Sequence, residues 1–294
     1  MSGNSTGSRT VAQALGQATE RLRRAGVPRP RAEAEWLLGR ALGTDRGGLL
    51  VRRAEPVPAA VAATFDSWID RRARREPAQH IVGTVEFHGL ELLVDRRVLI
   101  PRPETEDLVD AALALDVPQG ARAADLGTGS GCLAVTLALR RPDLRLYGLD
   151  RSAAALEVAR ANAARHGVEA RVTLVCGDFA TPPADWRGEM SLVVANPPYV
   201  AEAEWRELEP EVRNHDPRDA LVAGPTGLEA YAALVPAAAT LVRPGGYLLL
   251  ELGLGQAEAV RRLVRPQDWT IVEVRPDMQA IPRVLVARRS SAGS

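Results

Sequence analysis

Asn196-Pro197-Pro198-Tyr199 directly follows the apolar run 190–195. Its residue types can hold a planar NH2 group. The Asn196 side-chain oxygen and the Pro197 carbonyl can each accept one N–H, while the Tyr199 ring covers the face of the group. Such a site suits chemistry that alkylates a planar nitrogen, with Asn196, Pro197 and Tyr199 in the catalytic role and Asn196, Pro197, Pro198 and Tyr199 binding the substrate. The same tetrapeptide also serves simply as a strand stop, because Pro-Pro ends pairing. Position decides between the two readings.

Three other strand ends carry complementary residues. Gly127-Thr128-Gly129-Ser130-Gly131 follows an apolar run that ends in Asp125-Leu126, and it precedes a helical pattern. Glycines at alternate positions let the backbone approach a ligand closely. The spacing is not that of a dinucleotide fingerprint. Asp150 ends the next strand pattern, where an acid grips ribose hydroxyls, although it could also serve a helix N-terminus with Ser152. Asp178 and Phe179 follow the third strand, where an acid takes an adenine amino group and a ring covers the base. The four strand ends fall on one sheet edge, and coincidence is a poor account of that.

Adenine and ribose contacts are thus present, while phosphate chemistry is not. All 37 basic residues are arginine, which removes a P-loop lysine and a Schiff-base lysine. S-adenosylmethionine, which has adenine and ribose but no phosphate, fits the cofactor positions Gly127, Thr128, Gly129, Ser130, Gly131, Asp150, Asp178, Phe179 and Asn196. Four histidines and two cysteines show no ligand spacing, so no metal is expected.

The elements that must place these residues follow from periodicity. Strand patterns at 121–126, 144–149, 171–176, 192–195 and 247–251 alternate with helical ones such as 153–166, which implies a parallel sheet covered on both faces. Patterns at 269–274 and 284–287 add a closing antiparallel hairpin. Before these, helices are expected from Thr10 to about 24, from Pro30 to Gly43 and over 58–75, with Val61, Phe65, Trp68 and Ile69 inward in the third. A hairpin is expected over 81–94 with His88-Gly89 at its turn. The cluster Arg71, Arg72, Arg74, Arg75 reads most simply as a solvated face, with binding of an acidic partner as the alternative. The resulting division is a tail at 1–9, a helical domain at 10–78, a hairpin linker at 79–100, an α/β domain at 101–289 and a tail at 290–294.

The 294-residue chain has no net formal charge, so it is not an obvious polyanion binder. The balance is uneven, with 16 arginines against 11 carboxylates in 1–100 and 21 against 26 in 101–294. No run reaches the ~18 apolar residues of a membrane span, and no signal-peptide core precedes Thr10. The expected setting is soluble and reducing, in the cytoplasm.

The arrangement resembles the class I S-adenosylmethionine-dependent methyltransferases, and within them the HemK/PrmC-type family. The resemblance runs from about Thr10 to Arg288. It is carried by Glu86-Phe87-His88-Gly89-Leu90, Ile100-Pro101-Arg102-Pro103-Glu104-Thr105-Glu106, Asp125 to Gly131, Asn196 to Tyr199, His215-Asp216-Pro217, and Leu250-Glu251-Leu252-Gly253 with Gln256. Two stretches depart from the family pattern: His215-Asp216-Pro217, where Tyr-Glu-Pro is usual, and Asp277-Met278-Gln279-Ala280, which lacks a glycine.

The resemblance implies a seven-stranded Rossmann-like sheet with an antiparallel last strand, preceded by the small helical domain and the linking hairpin. It implies methylation of N5 of the glutamine in the Gly-Gly-Gln motif of peptide chain release factors. The helical domain would help dock that partner, and Pro101 to Glu106 would border the cofactor pocket. A monomer acting without membrane or direct nucleic-acid contact is expected. The competing readings are a nucleic-acid amino-methyltransferase acting on adenine N6 or guanine N2, a small-molecule methyltransferase, and a cofactor-binding regulator without catalysis.

Overall fold

The computed structural model describes residues 9–291, so 1–8 of the tail expected at 1–9 and 292–294 of the tail expected at 290–294 lie outside the described residues. The chain forms two compact units, one of residues up to Gly83 together with Glu209–His215, the other of Thr84–Leu208 and Asp216 onward.

The first unit is helical: α1 (Val11–Arg24), α2 (Pro30–Leu42), α3 (Arg46–Val51), α4 (Ala59–Ala73) and α5 (Ala78–Val82). Thr10 starts α1 with a reciprocal capping box. Its hydroxyl accepts from Gln13 N at 3.3 Å, and Gln13 Oε1 accepts from Thr10 N at 2.9 Å. Val11, Ala14, Leu15, Ala18 and Leu22 then recur on one buried face. They pack with Leu37, Leu38, Phe65 and Ile69 into one core. Trp36 stays 40% exposed on α2, with Arg40 over its ring. Helices α3 and α5, six and five residues long, are not anticipated by periodicity.

The arginine cluster is not a solvated face. Arg72 is buried and pairs with Glu33 at 3.0 Å and Glu211 at 2.9 Å. Arg75 grips both oxygens of Glu211, and Arg71 both oxygens of Glu76. Only Arg74 of the four is exposed. Burial alone would raise the Glu211 carboxyl, but hydrogen bonds from Arg75 and Arg72 hold it below the usual range.

The second unit begins with a hairpin, β1 (Thr84–Phe87) and β2 (Leu90–Leu93), in register Val85 to Leu92. It starts later than its apolar run suggests. Gly83, at φ +86°, ends α5 and takes Ile81 and Val82 into the helix. The remaining elements are α6 (Glu106–Leu113), β3 (Arg122–Leu126), α7 (Cys132–Arg140), β4 (Arg145–Asp150), α8 (Ala153–Arg165), β5 (Val172–Cys176), β6 (Met190–Ala195), β7 (Val200–Ala201), α9 (Pro210–His215, part of the first unit), β8 (Val222–Gly224), α10 (Glu229–Leu241), β9 (Val242–Glu251), α11 (Ala257–Leu263), β10 (Trp269–Pro276) and β11 (Pro282–Arg289).

Seven strands form one sheet in the order β10-β11-β9-β6-β3-β4-β5. Strand β11 runs antiparallel to both neighbours, and the other pairings are parallel. One face is covered by α6, α7 and α8 with the hairpin, the other by α10 and α11. Strand β6 is buried along its whole length, which explains its apolar run, broken only by Ser191. Strand order reverses at β3, between β4 and β6. The carboxyl edge beside such a reversal is where open α/β sheets bind ligands. Among the described residues, no helix is long and apolar enough to cross a membrane.

Candidate active site

At the end of β3, Gly127 (φ +81°) and Gly129 (φ +53°) bend the backbone toward an open cavity. No atom lies within 4 Å of where a Gly127 Cβ would stand. Gly131 serves packing instead, since its Cβ would meet the Ala159 Cβ at 3.1 Å. Thr128 and Ser130 point inward and brace the loop. The Thr128 hydroxyl donates to Asp125 Oδ2 at 2.6 Å, and the buried Asn162 donates to Ser130 O at 2.9 Å. Asn162 also exchanges two hydrogen bonds with Leu93 of β2, which ties the hairpin to the glycine loop.

Asp150, at the end of β4, joins the loop to the next helix. Its Oδ2 accepts from Gly129 N at 2.9 Å and its Oδ1 from Ser152 N at 2.8 Å. Ser152 itself caps α8. The ligand-binding and capping readings of Asp150 are therefore compatible, because each carboxylate oxygen keeps a second lone pair. Asp178 turns the chain after β5, with Oδ1 accepting from Ala180 N. Phe179 packs half-buried on the core. Gly127, Gly129, Asp150, Asp178, Phe179, Asn196 and Pro198 all line one cavity of about 700 Å³. Thr128, Ser130, Gly131, Pro197 and Tyr199 are not among the lining residues, and Pro197 and Tyr199 flank two that are, Asn196 and Pro198.

The Asn196–Tyr199 loop is braced from several sides. Tyr199 N and Val200 N both donate to Leu221 O, and β7 pairs with β8. Gln256 donates from Nε2 to Tyr199 O at 2.8 Å. Glycines make room for that contact. A Cβ on Gly253 would meet Gln256 Oε1 at 2.3 Å, and one on Gly227 would meet Tyr199 O at 2.6 Å. Asn196 donates from Nδ2 to Thr105 Oγ1 at 3.2 Å. Thr105 closes the 3-10 turn Pro103–Thr105 ahead of α6 and is buried. Glu251, at the end of β9, is also buried, and its Oε2 has no hydrogen-bond partner among the described residues. The bracing roles of Asn162, Thr105 and Gln256 are not apparent from residue spacing, since each partner lies on a distant segment.

Three acids have displaced ionisation. Burial pushes Asp125 up to about 7 against the hydrogen bonds from Thr128 and Ala134, and pushes Glu251 up to about 7 against the Thr105 hydroxyl and Arg283. Burial raises Asp216 to about 6, opposed by Arg102, which it pairs at 2.8 Å. The acid of the departing stretch His215-Asp216-Pro217 thus reaches Arg102. Burial raises the Tyr199 phenol to about 12, so it stays neutral at physiological pH. In the second departing stretch, Asp277 accepts from Gln279 N and Ile281 N and pairs with Arg283. Ala280 stands at φ +60°, in the region that glycine adopts without strain.

The cavity fits S-adenosylmethionine by its donor set as well as its size. The two arginines on its lining are already paired, Arg97 with Asp95 and Glu157 and Arg151 with Asp219. What remains is open glycine backbone, carboxylates and one aromatic ring, which suit an adenosine with a cationic tail better than a polyphosphate. Among the described residues, no His, Cys, Asp and Glu cluster could hold a metal ion.

The sheet order, the antiparallel β11 and the loops on this edge define a class I methyltransferase fold. A methyltransferase from Pyrococcus furiosus has a similar fold, with a TM-score of 0.51 at 15% identity over 70% of this chain and 91% of that one. The family model for the PrmC N-terminal domain matches residues 13–83, and that for the methyltransferase small domain matches 107–209. Release factor glutamine methyltransferases are similar over nearly the whole length. The Moorella thermoacetica protein is 46% identical across 95% of this chain and 99% of its own, and the Geobacter sulfurreducens protein 44% across 90% and 91%. The chain belongs to the release factor glutamine methyltransferase family.

Proposed function

We propose that this protein transfers the methyl group of S-adenosylmethionine to the side-chain nitrogen, N5, of the glutamine in the Gly-Gly-Gln motif of peptide chain release factors. The observation that carries this reading is the held Asn196 carboxamide. Its Nδ2 is committed to Thr105, which leaves Oδ1 as the group it offers at the cavity.

An amide nitrogen is a poor nucleophile because its lone pair is delocalised into the carbonyl. Asn196 Oδ1 and Pro197 O accept its two N–H groups, fix the amide plane and raise electron density on nitrogen. When bound, the cofactor supplies an electrophilic sulfonium methyl. Gly127, Gly129, Asp150, Asp178 and Phe179 hold its adenosine portion. Alignment of this kind can supply up to about 7–11 kcal/mol of barrier reduction. Neutral Tyr199 walls the site and excludes water, and the proton leaves nitrogen after transfer without a dedicated base. The helical unit gives the protein substrate a further surface. A translation factor as substrate makes the cytoplasm the fitting compartment, and a site built from one chain fits a monomer.

The test is incubation with tritiated S-adenosylmethionine and either intact release factor, a release factor with Gly-Gly-Ala in place of Gly-Gly-Gln, DNA or ribosomal RNA. Label confined to the intact release factor is expected. Label on nucleic acid alone would overturn the reading in favour of a base amino-methyltransferase. Asn196→Ala should lower the turnover on release factor by about 10²–10³-fold, the loss typical of one preorganised polar group, while calorimetry finds cofactor affinity retained.

A further inference from the structure

We infer that Gln256 aims the Asn196–Tyr199 loop: its side-chain amide, seated between Gly227 and Gly253, holds the Tyr199 carbonyl and so sets where the amide-binding groups stand at the cavity. The inference rests on the methyl-transfer reading above and adds to it a residue that acts without touching the ligand.

Gln256 is fixed at its backbone just ahead of α11. Its N–H donates to Gly253 O at 3.1 Å, and its carbonyl accepts from Val260 N at 2.9 Å. Its side chain reaches two backbone carbonyls on other segments, Tyr199 O at 2.8 Å and Gly227 O at 3.4 Å. A carbonyl oxygen only accepts, so the amide end that faces this pair must be the NH2. Turned over, the amide would set Oε1 against two oxygens and lose both bonds. The carboxamide therefore has one working orientation.

Two glycines make the seat. Gly253 is the more telling, because its φ lies outside the positive range that favours glycine. Its backbone would admit other residues, but the space does not. A Cβ there would lie 2.3 Å from Gln256 Oε1, 2.8 Å from Gln256 Cδ and 3.1 Å from Cδ2 of the Tyr199 ring. On the other side, a Gly227 Cβ would lie 2.9 Å from Gln256 Nε2. The floor of the seat is itself held. The fully buried Tyr231 donates its hydroxyl to Glu251 O at 2.8 Å and accepts from Gly253 N at 3.3 Å.

The loop transmits what happens at Tyr199. The peptide joining Tyr199 to Val200 is gripped on both sides, its N–H by Leu221 O at 2.9 Å and its carbonyl by Gln256. Toward the substrate, Pro197 and Pro198 have locked φ angles. Asn196 and Pro197 each precede a proline, which restricts them further. Few rotations remain to absorb a shift, so a displaced Tyr199 carbonyl carries Pro197 O and Asn196 Oδ1 with it. Asn196 and Pro198 line the cavity and Gln256 does not. Gln256 is a positioning residue that acts through Tyr199.

The test is methylation of release factor by the full-length enzyme, with kcat expressed per cofactor-binding site. Calorimetry counts those sites, so unfolded protein is not scored as slow enzyme. Gln256→Met keeps a side chain of similar length and offers no N–H. It should lower kcat by about 10–10²-fold, the cost of a misplaced reacting group. Its cofactor dissociation constant should stay within about twofold of wild type, which separates positioning from a general loss of the site. Gly255→Ala strains the same turn but faces open space, and should keep kcat. Near-normal kcat in Gln256→Met, an equal loss in Gly255→Ala, or a parallel loss of cofactor affinity would overturn the inference. If the methionine variant does not fold, Gln256→Ala removes the same donor and is read in the same way. A wild-type enzyme that fails to label release factor would instead count against the function itself.

Discussion

Asp125 is an acid kept out of water. Its Oδ2 is occupied by Thr128 and the Ala134 amide, while its buried Oδ1 has no hydrogen-bond partner. Burial raises its pKa to about 7, so between about pH 4 and 7 the folded protein keeps a proton that the unfolded chain releases. Its stabilising contribution is complete below about pH 4 and is lost as pH rises through about 7. Asp125→Asn keeps an oxygen for Thr128 and Ala134 but cannot ionise. The melting temperature of the variant relative to wild type should climb from pH 4 to 7 by roughly 5 °C and then level off. A constant difference across that range, measured by scanning calorimetry, would refute the assigned ionisation. At this scale the sequence is legible where chemistry sits in a short string at a strand end, as at Gly127 to Gly131, Asp150 and Asn196 to Tyr199. Bracing contacts are not legible in that way. Asn162 reaches Leu93 across 69 positions and Asn196 reaches Thr105 across 91, and strand order rather than spacing makes those pairs neighbours.

The elements most exposed to small errors are the loops that present Tyr199. Gly227 stands at φ +77°, and a Cβ there would lie 2.6 Å from Tyr199 O and 2.9 Å from Gln256 Nε2. The carbonyl is backbone and cannot move without shifting the Asn196–Tyr199 loop. Gly255 has nearly the same φ, +76°, but open space around its Cβ position. Both alanine variants should lose about 1–3 kcal/mol of stability from backbone strain. Only Gly227→Ala should also lose turnover, by about 10²-fold, the effect expected of a misplaced reacting group. Equal turnover in the two variants would remove Gly227 from the support of the site. Sequence patterns announce all seven sheet strands, most plainly at β6, a parallel strand buried along its whole length, and Gly43 and Gly167 punctuate helices where they are expected. Helices α3 and α5 escape because five or six residues are too few to show a 3.6-residue period.

The whole chain has no net formal charge, yet its charges are not simply dispersed over a surface. Glu211 lies beyond the first seven strands in sequence but belongs to the helical unit, where it meets Arg72 and Arg75. Local sequence around Arg71 to Arg75 suggests solvation because the matching carboxylate lies 139 positions away from Arg72. Removing that carboxylate leaves a buried guanidinium partly uncompensated, since Arg72 retains Glu33 but Arg75 loses both of its Glu211 contacts. Breaking a buried pair from one side usually costs about 3–5 kcal/mol, and the remaining Glu33 contact places Glu211→Ala near the lower end. Because the chain has two units, a single unfolding curve would blur the effect. Hydrogen exchange separates them. Amides of α4 should lose protection in Glu211→Ala by about 10²-fold while those of β6 retain it, and Arg74→Ala, which removes an exposed charge, should change neither. Unaltered α4 protection in Glu211→Ala would show that the helical unit holds together without the segment Glu209–His215.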